Sequence, residues 1–185
     1  MPIIRRRCFI SYHHVDQDEV DDFIEYFDHD NDVFIARGLG QSMAQEIVDS
    51  TDTDYVMRRI RELYIRNSTV TIVLLGKCTW ARRYVDWEIQ ASLRAPQNGL
   101  PNGLLGIKLP SFASDTPFPE RFNKNLLTAE KKAAGEEDCF ARWIAYPQKS
   151  IQLWDAIDGA FQRRATHSSL IVNPRERFSN NRKCT

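Results

Sequence analysis

No C-x-x-C pair occurs among the four cysteines, Cys8, Cys78, Cys139 and Cys184, which removes the commonest sequence signatures of a zinc site or a dithiol redox centre. Cysteines in or beside apolar segments behave as small hydrophobes, so this usage points to unpaired thiols and a reducing, cytoplasmic setting. An excess of charge of one sign is missing too. The 25 basic and 25 acidic residues cancel, leaving no global field to draw the protein to nucleic acid or an anionic membrane, and any ligand must be held locally. No apolar run approaches the roughly 20 residues of a membrane span. The opening MPIIRRRC is basic but meets a strand within a few positions, where a signal peptide would continue into a longer apolar region. There is no internal repeat. A chain of 185 residues is then expected to be soluble, with one core that needs neither metal nor disulfide staples.

Strand and helix patterns alternate along the chain. Arg7 to Tyr12 reads as a first strand, followed by a helix whose Val20, Phe23, Ile24 and Phe27 recur at i, i+3, i+4 and i+7. Val33 to Ala36 is a second strand, ending in the flexible loop Arg37-Gly38-Leu39-Gly40. Asp54 to Arg66 has helical spacing. After a third strand and its helix come a loop at Pro96 to Gly103 and a fourth strand at Leu104 to Leu109, stopped by Pro110. Ser111 to Asp138, with prolines and the run EKKAAGEED, reads as an irregular excursion with room for one short helical turn. Phe140 to Tyr146 is a short fifth strand, and a helix follows with Ile151, Trp154, Ile157 and Phe161 on one face. The segment 166–185 is polar and basic apart from Leu170-Ile171-Val172, either a docking arm or a frayed end. Alternation of this kind implies an α/β fold with a mostly parallel sheet and helices on both faces. The flavodoxin-like strand order 2-1-3-4-5 is expected, with a crevice where strands 1 and 3 diverge, lined by Ser11 to His14, Gly76 to Trp80 and the loop Arg37 to Ser42.

The richest stretch is Asn67 to Gln90. Val70, Ile72, Val73, Leu74 and Leu75 form an apolar run ending at Gly76, the pattern of a strand covered on both faces. The period then changes. Val85, Ile89 and Leu93 mark the buried stripe of a helix, and Trp80, Tyr84 and Glu88 a neighbouring stripe. A carboxylate beside Tyr84 and Trp87 is a candidate cleft residue. From the residues alone a second reading stays open, in which Glu88 is ion-paired to an arginine at the sheet edge. Other features carry less chemistry. His13 and His14 are neighbours in an extended segment and point apart, so no metal site is expected. Cys78 has no evident histidine partner, and Gly38-Leu39-Gly40 is only part of a dinucleotide fingerprint. The pairs Arg58-Arg59, Arg82-Arg83 and Arg163-Arg164 read as solvated helix faces.

Three segments together resemble the TIR-like domains, specifically the bacterial branch of Thoeris antiphage systems. Cys8-Phe9-Ile10-Ser11-Tyr12-His13 is similar to the first TIR box, an apolar strand closing in F-I-S-Y. Arg37-Gly38-Leu39-Gly40 falls where these domains carry their BB loop. Arg82-Arg83-Tyr84-Val85-Asp86-Trp87-Glu88-Ile89 is similar to the Thoeris segment whose glutamate is catalytic. In other TIR enzymes an aromatic-cysteine pair precedes that glutamate by four and three positions; here Tyr84 keeps the aromatic, and Val85 replaces the cysteine. The resemblance covers the first half of the chain well and suggests a TIR-like domain over 1–165, with an insertion at 111–138.

That resemblance implies cleavage of NAD, as substrate and with no further cofactor, between nicotinamide and ribose, yielding a linear or cyclic ADP-ribose product that activates a separate effector. Glu88 would be catalytic, and Ser11, Tyr12, His13, Arg37, Gly38, Trp80, Tyr84 and Trp87 would contact substrate. Self-association through TIR surfaces is expected as well. Two other readings remain: a non-catalytic TIR assembly module, and an enzyme like the nucleoside deoxyribosyltransferases, which share the layered fold and a glutamate at a glycosidic bond.

Overall fold

In a computed structural model describing residues 4–40 and 43–184, five parallel strands form one sheet in the order β2-β1-β3-β4-β5. The strands are β1 (Arg6–Ser11), β2 (Phe34–Arg37), β3 (Val70–Leu75), β4 (Gly103–Lys108) and β5 (Arg142–Ile144). β3 is buried along its whole length, as its unbroken apolar run requires of a strand covered on both faces. Register places Ser11 of β1 opposite Val73 of β3, so both strands deliver their carboxyl ends to the same rim of the sheet.

The helices on one face bury Val20, Phe23 and Phe27 from α1 (Gln17–Ile24) and the turns after it, and Leu153, Ile157 and Ala160 from α7 (Ser150–Thr166). The other face carries α2 (Gln45–Val48), α3 (Thr53–Ile60) and α4 (Arg83–Ser92). Here α4 joins two clusters. Val85 and Ile89 pack with Val73, Leu75 and Leu104, whereas Trp87 and Ala91 pack with Phe9, Met57 and Ile60.

Three expectations are corrected by this packing. The buried face of α7 is not the one its large residues suggest, since Ile151 is 51 % exposed. The reason is close approach: the Ala160 carbonyl lies where a side chain on Gly103 would be, so small residues set the contact and Trp154 and Phe161 pack at its margin. The stretch 111–138 holds two short helices, α5 (Glu120–Asn123) and α6 (Ala129–Ala133). Finally, the cysteines are not all free thiols. Cys78 and Cys184 form a disulfide across 106 residues, and Cys8 and Cys139 remain as buried thiols. Nothing in local spacing announces a pair so far apart, and cysteines joined in this way give no support to a reducing compartment.

That disulfide ends a docked C-terminal strap. Arg121 on α5, 4 % exposed, donates from Nε to Asp86 Oδ1 on α4 at 2.9 Å, and from its Nη groups to the Asn173 side chain and the Pro174 and Glu176 carbonyls. Trp87 Nε1 donates to the Phe178 carbonyl at 2.7 Å. The Arg182 amide closes the strap on the Ala81 carbonyl at 2.8 Å.

Candidate active site

A cleft of about 490 Å³ opens at the carboxyl ends of β1 and β3, where the strand order reverses and open α/β sheets characteristically hold ligands. β1 contributes Ile10 and the residues after it, Tyr12, His13 and His14; the loop after β2 contributes Gly38, Gly40 and Met43; α4 and its approach contribute Arg82, Tyr84, Val85 and Glu88. Gly38 sits at φ +80° against the Phe9 ring, and a Cβ there would collide with it. Only glycine brings the loop this close.

Glu88 lies one turn beyond Tyr84 on the seam of α4 left between its two buried flanks. Its Oε2 accepts a 2.6 Å hydrogen bond from Ser11 Oγ, and Ser11 is itself 1 % exposed at the end of β1. Among the described residues no cation pairs with Glu88, so the reading of an arginine-paired structural carboxylate is not met. Burial pushes its pKa up from 4.5 to about 7, with the Ser11 hydroxyl pulling the other way by stabilising the anion. The acid is therefore poised near neutrality, as groups that move or sense charge in a site commonly are.

His13 is 6 % exposed and shifted in the opposite sense, from 6.5 down to about 4, by burial and then by repulsion from Arg82 and His14. It is neutral at physiological pH and can act as a hydrogen-bonding group but not as a cation. Tyr12 is fixed by donating to Gln17 Oε1 at 2.8 Å while accepting from the Gly40 amide at 3.4 Å. Tyr84 accepts from Arg83 at 2.9 Å and meets Trp87 edge-on.

Of the residues expected from sequence, Ser11, Tyr12, His13, Gly38, Tyr84 and Glu88 come together here. Three do not. Trp87 turns into the core and uses its indole N–H to hold the strap. Trp80 belongs to the short turn Thr79–Ala81 before α4, one helical turn too early to share the Tyr84–Glu88 seam, and it is not in the cleft wall. Arg37 is exposed and donates to the neighbouring Ala36 carbonyl. Gly76 to Thr79 also stay out of the wall: Gly76 is packed against the Asp16 carboxylate, and its amide donates to Thr79 Oγ1. Gln41 and Ser42, the end of the expected crevice loop, lie outside the described residues.

His14 and Gly40, within the expected crevice segments, line the cleft as well, whereas Gln17, Met43, Arg82 and Asn181 line it without having been expected there. Arg82 opens the segment that resembles the Thoeris one, but as half of an arginine pair it read as part of a solvated helix face. Asn181 comes from the strap, and its Oδ1 accepts from the Arg83 amide at 3.0 Å, supplying the cap that α4 lacks from its own N-terminal flank. Among the described residues no group of His, Cys, Asp and Glu is arranged to hold a metal ion, and no helix is long and apolar enough to cross a membrane.

Comparison with curated proteins finds no match. A family model does match, over residues 9–114, and its description is Thoeris protein ThsB, TIR-like domain. The matched span holds the carboxyl end of β1, the loop after β2, β3 and the whole of α4, more than half of the chain, and the protein belongs to the TIR-like family of the Thoeris antiphage-defence systems.

Proposed function

We propose that the protein cleaves NAD at the bond between nicotinamide and ribose and releases a linear or cyclic ADP-ribose signal. The observation that carries this reading is the desolvated Glu88 carboxyl, held by Ser11 and free of any cation partner among the described residues, in the cleft at the sheet's switch point. Nicotinamide in NAD is a cationic leaving group. The C–N bond breaks with its electron pair leaving on nicotinamide, which becomes neutral, and positive charge develops on the ribose. An ionised carboxylate beside that centre stabilises the transition state more than the ground state. Glu88 ionises more readily with the pyridinium cation nearby, since an opposite charge favours the charged form. Attack by water, with loss of one proton, gives linear ADP-ribose; attack by a group of the ADP-ribose itself gives a cyclic product. The aromatic rings of Tyr12 and Tyr84 suit the exclusion of water that cyclisation needs.

The reaction fits a cytoplasmic enzyme whose product activates a separate effector and which works as an assembly. Val15, next to the cleft-lining His14, is 71 % exposed, an apolar residue available to a second copy at the rim of the site. The deciding experiment is nicotinamide release from NAD by concentrated protein, with Glu88→Gln in parallel and chromatography of the nucleotide product. Turnover is expected to fall at least about 100-fold in the variant, the scale of losing one preorganised electrostatic group. Retained turnover would overturn the reading. No release from wild-type protein that self-associates would favour the non-catalytic assembly module.

A further inference from the structure

We propose that Arg82 and Asn181 form an anion subsite at the mouth of the cleft, which takes the pyrophosphate of the dinucleotide and makes the C-terminal strap part of the active site. This rests on the NAD reading above.

Arg82 and Glu88 are the formally charged residues lining the cleft among those described. A ligand carrying a cationic ring and a pyrophosphate dianion needs both signs, and Glu88 already serves the ring and ribose. Arg82 is held from behind, donating from Nε to the Cys78 carbonyl at 3.2 Å and from Nη2 to the Arg182 carbonyl at 3.4 Å. Both acceptors are neutral. Among the described residues no carboxylate neutralises Arg82, and its Nη1 has no protein partner. A guanidinium fixed in this way, with its charge unspent, matches a phosphate oxygen.

Asn181 complements it. Its carbonyl is committed to the Arg83 amide, so what it has left for the cleft is an amide nitrogen with two N–H donors. Both residues depend on the same fastening. The Cys78–Cys184 bond and the contact from the Arg182 amide to the Ala81 carbonyl pin the strap to the segment that leads directly into Arg82. The subsite is therefore assembled from parts that are neighbours only when the strap is docked.

The test uses two substrates with the same scissile bond, NAD and nicotinamide riboside, of which only NAD carries a pyrophosphate. Asn181→Asp keeps an oxygen acceptor for the Arg83 amide but removes the two donors and adds a negative charge; Asn181→Ala removes both functions. For Arg82→Gln and Asn181→Asp, the ratio of kcat/KM for NAD to that for nicotinamide riboside is expected to fall roughly 10- to 100-fold, mainly through KM for NAD, as for loss of a charge-assisted hydrogen bond. The melting temperature of Asn181→Asp should stay at the wild-type value. A purely capping role predicts the reverse pattern, with Asn181→Asp like wild type on both substrates and Asn181→Ala destabilised; that result, or equal losses on the two substrates, overturns the proposal. If wild-type protein cleaves neither substrate, the NAD-cleaving reading fails by itself. Calorimetric binding of ADP-ribose then decides the subsite: roughly tenfold or greater weakening in Arg82→Gln and Asn181→Asp supports it, and absence of binding to wild type overturns it.

Discussion

Glu88 is subject to opposing demands: desolvation makes its carboxyl effective in a transition state, and the same desolvation raises its pKa to about 7. If the ionised form is the active one, kcat/KM for NAD should rise with pH through an acid limb near 7 and level off above it, because this parameter reports the free enzyme. The Ser11 hydroxyl holds the limb as low as it is, so Ser11→Ala should displace it to higher pH and reduce turnover at pH 7. A limb that Ser11→Ala leaves in place would assign it to another group. Glu88 was legible in the sequence because one stripe of an amphipathic helix set a carboxylate beside an aromatic ring. The errors around it concern side-chain direction. Trp87, Glu88's neighbour in the chain, turns into the core with Phe9, Met57 and Ile60, and Arg37 sits at the end of a strand where alternation allows either face. Arg82 and Asn181 were not legible, because one owes its role to what fails to neutralise it and the other to a disulfide between distant residues.

At the scale of elements, four strands were readable to within a residue or so at each end, because buried parallel strands are continuous apolar runs bounded by glycine or proline. β5 is shorter than Phe140 to Tyr146, its flanks being spent on packing: Phe140 and Ala141 are fully buried in the core beside α5. The strap is the element that periodicity could not find. It carries few apolar residues and docks by polar groups, chiefly Arg121, which ties Asp86 of α4 to three positions of the strap. Removing one partner of a buried ion pair leaves the other uncompensated, at a cost of about 3–5 kcal/mol. Arg121→Met should therefore lower stability by about that amount in chemical denaturation, and the amides of residues 173–182 should exchange hydrogen faster than the strands. Pairing it with Asp86→Leu should recover part of the loss, since the isolated charge is then gone. Cys184→Ser tests the same element from its far end: it keeps Arg121 in place, and should release residues 179–184 to exchange while costing at most about 2–4 kcal/mol. Slow exchange of the strap in both variants would show that it is held by neither device.

For the molecule as a whole, the cleft sets a pattern in stability against pH. Glu88 has a folded pKa near 7 against an ordinary 4.5, so between those values the folded protein holds the proton that the unfolded chain has released. Stability contributed this way falls as pH rises from about 4.5 to 7 and is constant above. His13 has the opposite sign. Its folded pKa near 4 lies below the ordinary 6.5, the unfolded chain takes up the extra proton, and stability rises as pH increases across that window. The two histories nearly overlap, so the wild-type melting temperature should vary little between pH 4.5 and 6.5 despite a strongly perturbed site. Glu88→Gln removes one of them. The difference in melting temperature, variant minus wild type, should grow from pH 4.5 to 7 and then plateau in favour of the variant. The underlying shift corresponds to at most about 3 kcal/mol, with each kcal/mol worth roughly 2–4 °C in a chain of this size. His13→Gln should do the reverse, gaining on wild type as the pH falls below 6.5. Thermal melts of the three proteins from pH 4.5 to 8 measure both differences. If Glu88→Gln melted below wild type at pH 8, the carboxylate would be stabilised by the fold instead of desolvated by it, and a site that strains its acid toward reaction would have to be given up.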